Sequence, residues 1–305
     1  MPQRYIKKIL DARVYDAAIE TPLTEARSLS KRFGNKILLK REDLQPVFSF
    51  KIRGAYNRIA QLSEEQKAKG VICASAGNHA QGVALASKNL GIKAVIVMPQ
   101  TTPEIKVRSV RDHGAKVVLK GDAFDEAAAH AQELIAKHGY TYIPPYDDPD
   151  VIAGQGTVAM EIMWQFSKPI HAIFICVGGG GLIAGMAAYI KYLRPEVRVI
   201  GVESKESACL QAALAANARV VLPQVGRFAD GVAVADHHAI DATDLAGLGG
   251  DAEPSGDADE RERGALDVEH VAGVLKEREI LGDPLADVIS RATEPVLKTD
   301  VRVTV

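Results

Sequence analysis

Between residues 71 and 142, short and wholly apolar runs alternate with longer stretches of helical periodicity, and that alternation admits few folds. VICA at 71–74, KAVIVMP at 93–99, KVVLKG at 116–121 and TYIP at 141–144 read as strands. Between them lie a helix that ends at Gly91, one at 103–113 and one from Ala123 to Lys137. Strands without a polar face are buried on both sides, which requires a parallel sheet with crossover helices over each face. The rhythm resumes with HAIFICV at 171–177 and RVIGVE at 198–203, so the whole chain reads as α/β, with parallel sheets and helices on both faces. Ligands of such sheets bind beyond the carboxyl ends of the strands, and the polar turns there carry the candidate chemistry.

The flanks follow the same logic. Ile6, Ile9, Leu10, Val14, Ala17 and Ala18 form an approximate helical stripe over 5–20, stopped by Thr21-Pro22. KILLKRED reads as a buried strand that delivers Asp43 and Leu44 to a loop. The Pro and Asp cluster PYDDPD marks a crossing between two lobes, and VIAGQGTVAMEIMWQF beyond it reads as loop, then helix.

With 305 residues, 47% hydrophobic and 25% charged, the chain can bury a sizeable core. A net charge of -2 gives no basic surface for nucleic acid or for a membrane, which leaves small-molecule chemistry as the expectation. No apolar run spans a bilayer, and MPQRYIKKIL lacks the features of a secretory signal. Cys73, Cys176 and Cys209 are far apart among apolar neighbours, as expected of buried reduced thiols in the cytoplasm.

Lys51 stands between Phe50 and Ile52 in LKREDLQPVFSFKIRGAYN. Taken alone it is more often a solvated lysine beside Arg53. Partial burial would instead favour the neutral amine, which attacks a carbonyl carbon to form a Schiff base. Ser75, Gly77, Asn78 and His79 lie in the turn after VICA, equally readable as a ligand site or as a helix start capped by Ser75 or Asn78. Gly178, Gly179, Gly180 and Gly181, followed by Leu182, end the next strand, and four glycines are costly to order. Anion binding accounts for them, since backbone N–H groups and a helix N-terminus then meet a phosphate. A dinucleotide reading competes, because Gly179-x-Gly181-x-x-Ala184 meets the relaxed fingerprint and Glu203 ends the following strand. That reading gives Lys51 and the SAGNH turn no role. A cofactor with one phosphate, one aromatic ring and one aldehyde uses all of them, and pyridoxal 5'-phosphate is such a cofactor.

SFKIRGAY at 49–56, SAGNHAQGVA at 75–84, VIAGQGT at 151–157, VGGGGL at 177–182 and FADGVAV at 228–234 together resemble the fold-type II pyridoxal-phosphate enzymes, and among them the biosynthetic threonine dehydratases. The resemblance runs from about residue 10 to Ala235. It implies a two-lobed, tryptophan synthase β-like fold, with 1–40 and 145–305 as the large lobe, 41–144 as the small lobe and the cofactor between them. It implies that Lys51 holds the cofactor, that Phe50 packs beside it, that Asn78 bonds the ring hydroxyl and that Gly178 to Leu182 cradle the phosphate. Ser75, Asn78 and His79 would receive the carboxylate of an amino-acid substrate. The implied reaction is deamination of L-threonine, with L-serine as a further substrate, in a homo-oligomer, dimer or tetramer. Serine racemases are similar but carry a second serine where this chain has Ala76, so racemisation is not expected. Their cation site pairs a glutamate with an aspartate six positions on; here Glu203 is followed by Cys209, and no metal is expected.

The resemblance weakens beyond Ala235, and 236–305 is atypical. Only a short segment separates Ala235 from Glu253-Pro254-Ser255-Gly256, and no Ser-Gly-x-Asn offers a hydroxyl to the pyridine nitrogen. Ser255 and Ser290 are substitutes for it. His237 and His238 read as solvated. A helix is expected over Val268 to Glu279, another starting at Asp283-Pro284, then the alternating VRVTV. No regulatory domain is expected. Three readings remain: an active dehydratase, a catalytically impaired cofactor-binding relative, and a nicotinamide enzyme.

Overall fold

The computed structural model describes residues 2–216, 218–223 and 301–305. In chain order the first elements are α1 (Pro2–Leu10), β1 (Leu23–Glu25), α2 (Arg27–Phe33), β2 (Lys36–Lys40), α3 (Lys51–Ala60) and α4 (Glu64–Lys69). There follow β3 (Val71–Ala74), α5 (Asn78–Asn89), β4 (Ala94–Met98), α6 (Glu104–Asp112), β5 (Lys116–Leu119), α7 (Phe124–His138) and β6 (Thr141–Tyr142). The last are α8 (Pro149–Gln165), β7 (Ala172–Cys176), α9 (Gly181–Leu193), β8 (Arg198–Val202), α10 (Cys209–Ala216) and β9 (Val301–Thr304). The expected helices at 268–279 and from 283, the FADGVAV segment, His237, His238, Ser255 and Ser290 lie outside the described residues.

The chain forms two compact units. One comprises Lys7–Thr21 and Glu42–Val158; the other comprises the described residues within Met1–Ile6, Pro22–Arg41 and Ala159–Val305. The first unit carries a parallel sheet in the order β5-β4-β3-β6. Alternate residues of its strands face opposite ways: Val71, Cys73, Ala94 and Ile96 join a core with Ile52, Ala55, Ile59, Val83 and Val107, while Ile72, Ala74, Val95 and Val97 pack on Ala127 and Ala131 of α7. Both faces are thus apolar, which is why these strands read as unbroken runs. The second unit holds the sheet β1-β2-β9-β7-β8, antiparallel at β1 and parallel elsewhere. The closing VRVTV forms β9, hydrogen-bonded to β2 on one side and β7 on the other.

Two expectations about local structure change. The first helix ends at Leu10, not residue 20, because the chain beyond is held by distant partners: Arg13 N–H donates to Asn57 Oδ1 at 2.8 Å, and Gln45 bonds both the N–H and the C=O of Ile19. Val14, Ala17 and Ala18 are nevertheless buried, so the apolar stripe marked core but not helix. The PYDDPD cluster starts a helix instead of a crossing. Asp148 Oδ1 accepts the N–H groups of Asp150 and Val151 at 2.8 and 3.1 Å, with Pro149 in the first helical position. VIAGQGT is helical throughout, and the division between the units falls inside α8, between Val158 and Ala159. The segments 7–21 and 145–158 accordingly group with the lobe expected at 41–144. Lys8 pairs with Asp150 at 2.6 Å and Asn57 Nδ2 donates to the Asp150 carbonyl at 2.6 Å, which ties both segments to α3.

Gly154 explains a helix through two glycines. A Cβ there would lie 2.6 Å from the Arg53 carbonyl oxygen and 2.7 Å from Gly54 Cα, so α8 and α3 meet where neither helix has a side chain. Gly154→Ala should therefore lower stability by about 1–3 kcal/mol, the usual cost of overpacking. Urea unfolding measures it as a lower midpoint at unchanged slope; an unshifted midpoint would show that the two helices can part without loss.

Candidate active site

Lys51 is the first residue of α3 and is half-buried. The turn before it is strained: Phe48 has φ +57°, a left-handed backbone unusual for a bulky residue, while its N–H is held by the Gln45 carbonyl at 2.7 Å. Val47 and Ser49 point inward, and Ser49 Oγ accepts the Lys51 N–H at 3.2 Å. The Lys51 amine donates to the Pro145 carbonyl at 2.7 Å and lies 5.4 Å from the centroid of the Phe50 ring. At Gly82 of α5 a Cβ would stand 3.1 Å from the Lys51 carbonyl carbon, so glycine lets the lysine backbone close on that helix.

Arg53, which the sequence offered only as a charged neighbour, is fully buried. Its Nε and Nη2 donate to the two oxygens of Glu42 at 2.8 Å each, Nη1 to Thr157 Oγ1 at 3.1 Å and Nη2 to the Ile19 carbonyl at 3.2 Å. Thr21 Oγ1 donates to Glu42 at 2.6 Å. Planar, two-point pairing of this kind fixes direction as well as charge. Its one sequence signal was a Glu and an Arg flanking the loop that leads to Lys51.

The SAGNH turn follows β3. Ser75 is half-buried and Asn78 exposed; the helix cap is Gly77, and neither Ser75 nor Asn78 serves as the N-cap. Ser75 Oγ instead accepts the Gly77 N–H at 3.3 Å. With no side-chain cap, the first N–H groups of α5 form an electropositive end suited to a carboxylate. The His79 ring is engaged within the protein. It is buried with Nε2 2.9 Å from the Ile143 carbonyl, so what His79 can offer a ligand at this turn is backbone N–H. Burial, aided by the charge of Lys51, presses its pKa down to about 3. The neutral ring facing a carbonyl must donate, which assigns the proton to Nε2. His79 and Lys51 thus reach the same segment, Ile143 to Pro145.

In the other unit, β7 runs into the glycines and α9 begins at Gly181. Gly178 and Gly179 are half-exposed; Gly180, Gly181 and Leu182 are buried. Gly180 has φ +90°, and α9 has no side-chain cap. Glu203, the residue that supported a dinucleotide reading, is spent within the protein. Its carboxylate is buried and accepts the N–H groups of Leu210 and Gln211 at 2.9 and 3.0 Å, which leaves it no part in holding a ribose. Cys73 and Cys209 are buried, but Cys176 is exposed, contrary to expectation, at the strand end where β7 gives way to the loop. Among the described residues no group of three His, Cys, Asp or Glu is placed to hold a metal, and no helix is long and apolar enough to cross a membrane.

A profile of the family described as pyridoxal-phosphate dependent enzyme matches residues 14–262. The chain belongs to that family. The fold is that of its fold-type II members, α/β with parallel sheets. The biosynthetic threonine dehydratase of Arabidopsis thaliana chloroplasts is 61% identical over 230 residues, covering 75% of this chain and 39% of the relative. The biosynthetic threonine dehydratase of Pasteurella multocida is 51% identical over 303 residues, covering 94% of this chain and 59% of the relative. The chain therefore spans less than two thirds of the length of these relatives. Among solved structures, the processed form of threonine deaminase isoform 2 from Solanum lycopersicum superposes with a TM-score of 0.82 at 42% identity, covering 99% of this chain and 83% of that one.

Two measurements probe the site's framework. Arg53→Met leaves Glu42 buried without its partner and should cost about 3–5 kcal/mol, whereas Arg53→Met with Glu42→Leu should recover much of it; denaturant melts of the two variants decide. An unfolded histidine gains a proton near pH 6.5, but folded His79 does so only near 3. Its contribution to stability is therefore complete above pH 6.5 and falls by about 1.4 kcal/mol per pH unit as the pH drops from there toward 3. His79→Gln should flatten that share of the slope when urea melts at pH 7 and pH 5 are compared, and parallel slopes for both proteins would reject the assignment.

Proposed function

We propose that the chain deaminates L-threonine to 2-oxobutanoate and ammonia with pyridoxal 5'-phosphate as cofactor, and accepts L-serine as a second substrate. The observation that carries this reading is the setting of Lys51, a half-buried amine at the start of α3 held by a neutral backbone carbonyl. The family and the dehydratases similar to this chain support it.

The residues fit the cofactor. The glycine run enters an uncapped helix with a left-handed residue at Gly180, an arrangement that lets backbone N–H groups approach phosphate oxygens. Lys51 would hold the aldehyde carbon, Phe50 would lie beside it, Asn78 would bond the ring hydroxyl and Gly178 to Leu182 would take the phosphate. The bound cofactor supplies an electron sink for the pair left at Cα when its proton is removed.

The protein's own groups do the rest. Ser75 Oγ, Asn78 and the first N–H groups of α5 receive the substrate carboxylate, which turns the Cα–H bond toward the lysine. The Lys51 amine takes the Cα proton as general base. His79 stays neutral and holds the Ile143 carbonyl, so its ring takes no part in moving the proton. The proton from Cα and the hydroxyl from Cβ together make one water, and the released enamine hydrolyses to the keto acid and ammonia. With Ala76 after Ser75, no hydroxyl at that position can return a proton to the opposite face, so D-serine is not a product. One methyl group separates threonine from serine, which discriminates by only about 10–200-fold.

Lys51→Ala should abolish 2-oxobutanoate formation and the visible absorbance of lysine-bound cofactor while leaving the melting temperature of the cofactor-free protein unchanged. Retention of a tenth of wild-type turnover would remove Lys51 from the role of base. Wild-type protein that releases no keto acid yet shows the absorbance would make it a cofactor-binding relative without this activity.

A further inference from the structure

Two adjacent glycines have no side chains to limit how their shared peptide turns, so the orientation of the Gly178–Gly179 peptide must be imposed from outside. In this unit the imposing atom is Cys209 Sγ, 3.5 Å from the Gly178 carbonyl oxygen and 3.4 Å from Glu203 Oε1. Glu203 already accepts the N–H groups of Leu210 and Gln211, which anchors its carboxylate to the start of α10, where Cys209 is the first residue. Both neighbours of the thiol are therefore acceptors, and its proton bridges them. A trans peptide points its C=O and its N–H in opposite directions. With the Gly178 carbonyl held against α10, the Gly179 N–H points away from that helix, from a stretch where both glycines are half-exposed.

We infer that Cys209 is a positioning residue for phosphate, its thiol turning the Gly178–Gly179 peptide so that the Gly179 N–H is presented to a phosphate oxygen. The inference rests on the reading of Gly178 to Leu182 as the phosphate cradle. Burial, with the neighbouring Glu203 adding to it, pushes the Cys209 thiol up to about 12, so it remains a donor throughout the neutral range. The thiol touches neither substrate nor reacting atoms; it acts through the loop.

The test compares cofactor-free wild type, Cys209→Ala and Cys209→Ser, each titrated with pyridoxal 5'-phosphate and with pyridoxal, which lacks the phosphate. Cofactor absorbance reads the affinity, and competition by inorganic phosphate provides a second reading. Cys209→Ala should weaken pyridoxal 5'-phosphate and inorganic phosphate roughly five- to tenfold, the worth of one modest hydrogen bond, and leave pyridoxal unchanged. Cys209→Ser, which keeps a donor, should stay within about twofold of wild type. Equal weakening of both cofactors, no weakening at all, or a Cys209→Ala protein that does not fold would each overturn the inference, the last by making the thiol structural. Wild type that binds pyridoxal as tightly as pyridoxal 5'-phosphate would instead overturn the cradle reading beneath it.

Discussion

The unit that carries Lys51 depends on one buried ion pair. Arg53 and Glu42 are removed from water, and the two parallel hydrogen bonds between them at 2.8 Å offset the loss of hydration only while their geometry is kept. Around them Thr21, Gln45, the Ile19 carbonyl and Thr157 satisfy the remaining donors and acceptors. The network draws on the segment before β1, the loop before α3, α3 itself and α8. A buried pair of this kind contributes little net stability compared with apolar side chains of the same volume, but it tolerates one arrangement only. Lys51 lies two residues from Arg53 on the same helix, and its position follows from that restriction.

The inner strands were legible because they are apolar on both faces, a pattern that survives without any knowledge of partners, whereas β1, a three-residue strand with two exposed positions, gave no such signal. Lys51, the SAGNH turn and the glycine run stood out for another reason: taken together, they are local arrangements that ordinary packing leaves unexplained. What escaped depends on contacts across the sequence. The segment VIAGQGTVAMEIMWQF read as loop, then helix, and only the approach of Gly54 shows how a helix can run through Gly154. Arg53 read only as a charged neighbour of Lys51, because nothing next to it in the chain announces that Glu42 is its partner. His79 lay in the right turn, but spacing locates a backbone position and does not say which way a ring points.

Glu203 illustrates how one residue can support two readings until its partners are seen. An acid at the end of a strand after a glycine-rich turn suits a ribose. Two backbone N–H groups from α10 claim it instead, and the thiol beside them carries the effect of that capping to the glycines. In the proposed phosphate cradle, the same acid that argued for a dinucleotide serves a single phosphate instead.

The place of β9 governs the order in which the chain can be assembled. The sheet β5-β4-β3-β6 is built from residues 71–142, with connections closed as each helix is made. In the other sheet, β2 and β7 are joined through Val301–Thr304, and β2 lies some 260 residues upstream of that strand. During synthesis β2 and β7 therefore leave the ribosome with the edges that face β9 unpaired, and they remain so until Val301–Thr304 have been made. Open parallel edges of that kind recruit other strands. One unit can close early from local contacts, while the other must wait for its central strand and needs protection in the interval.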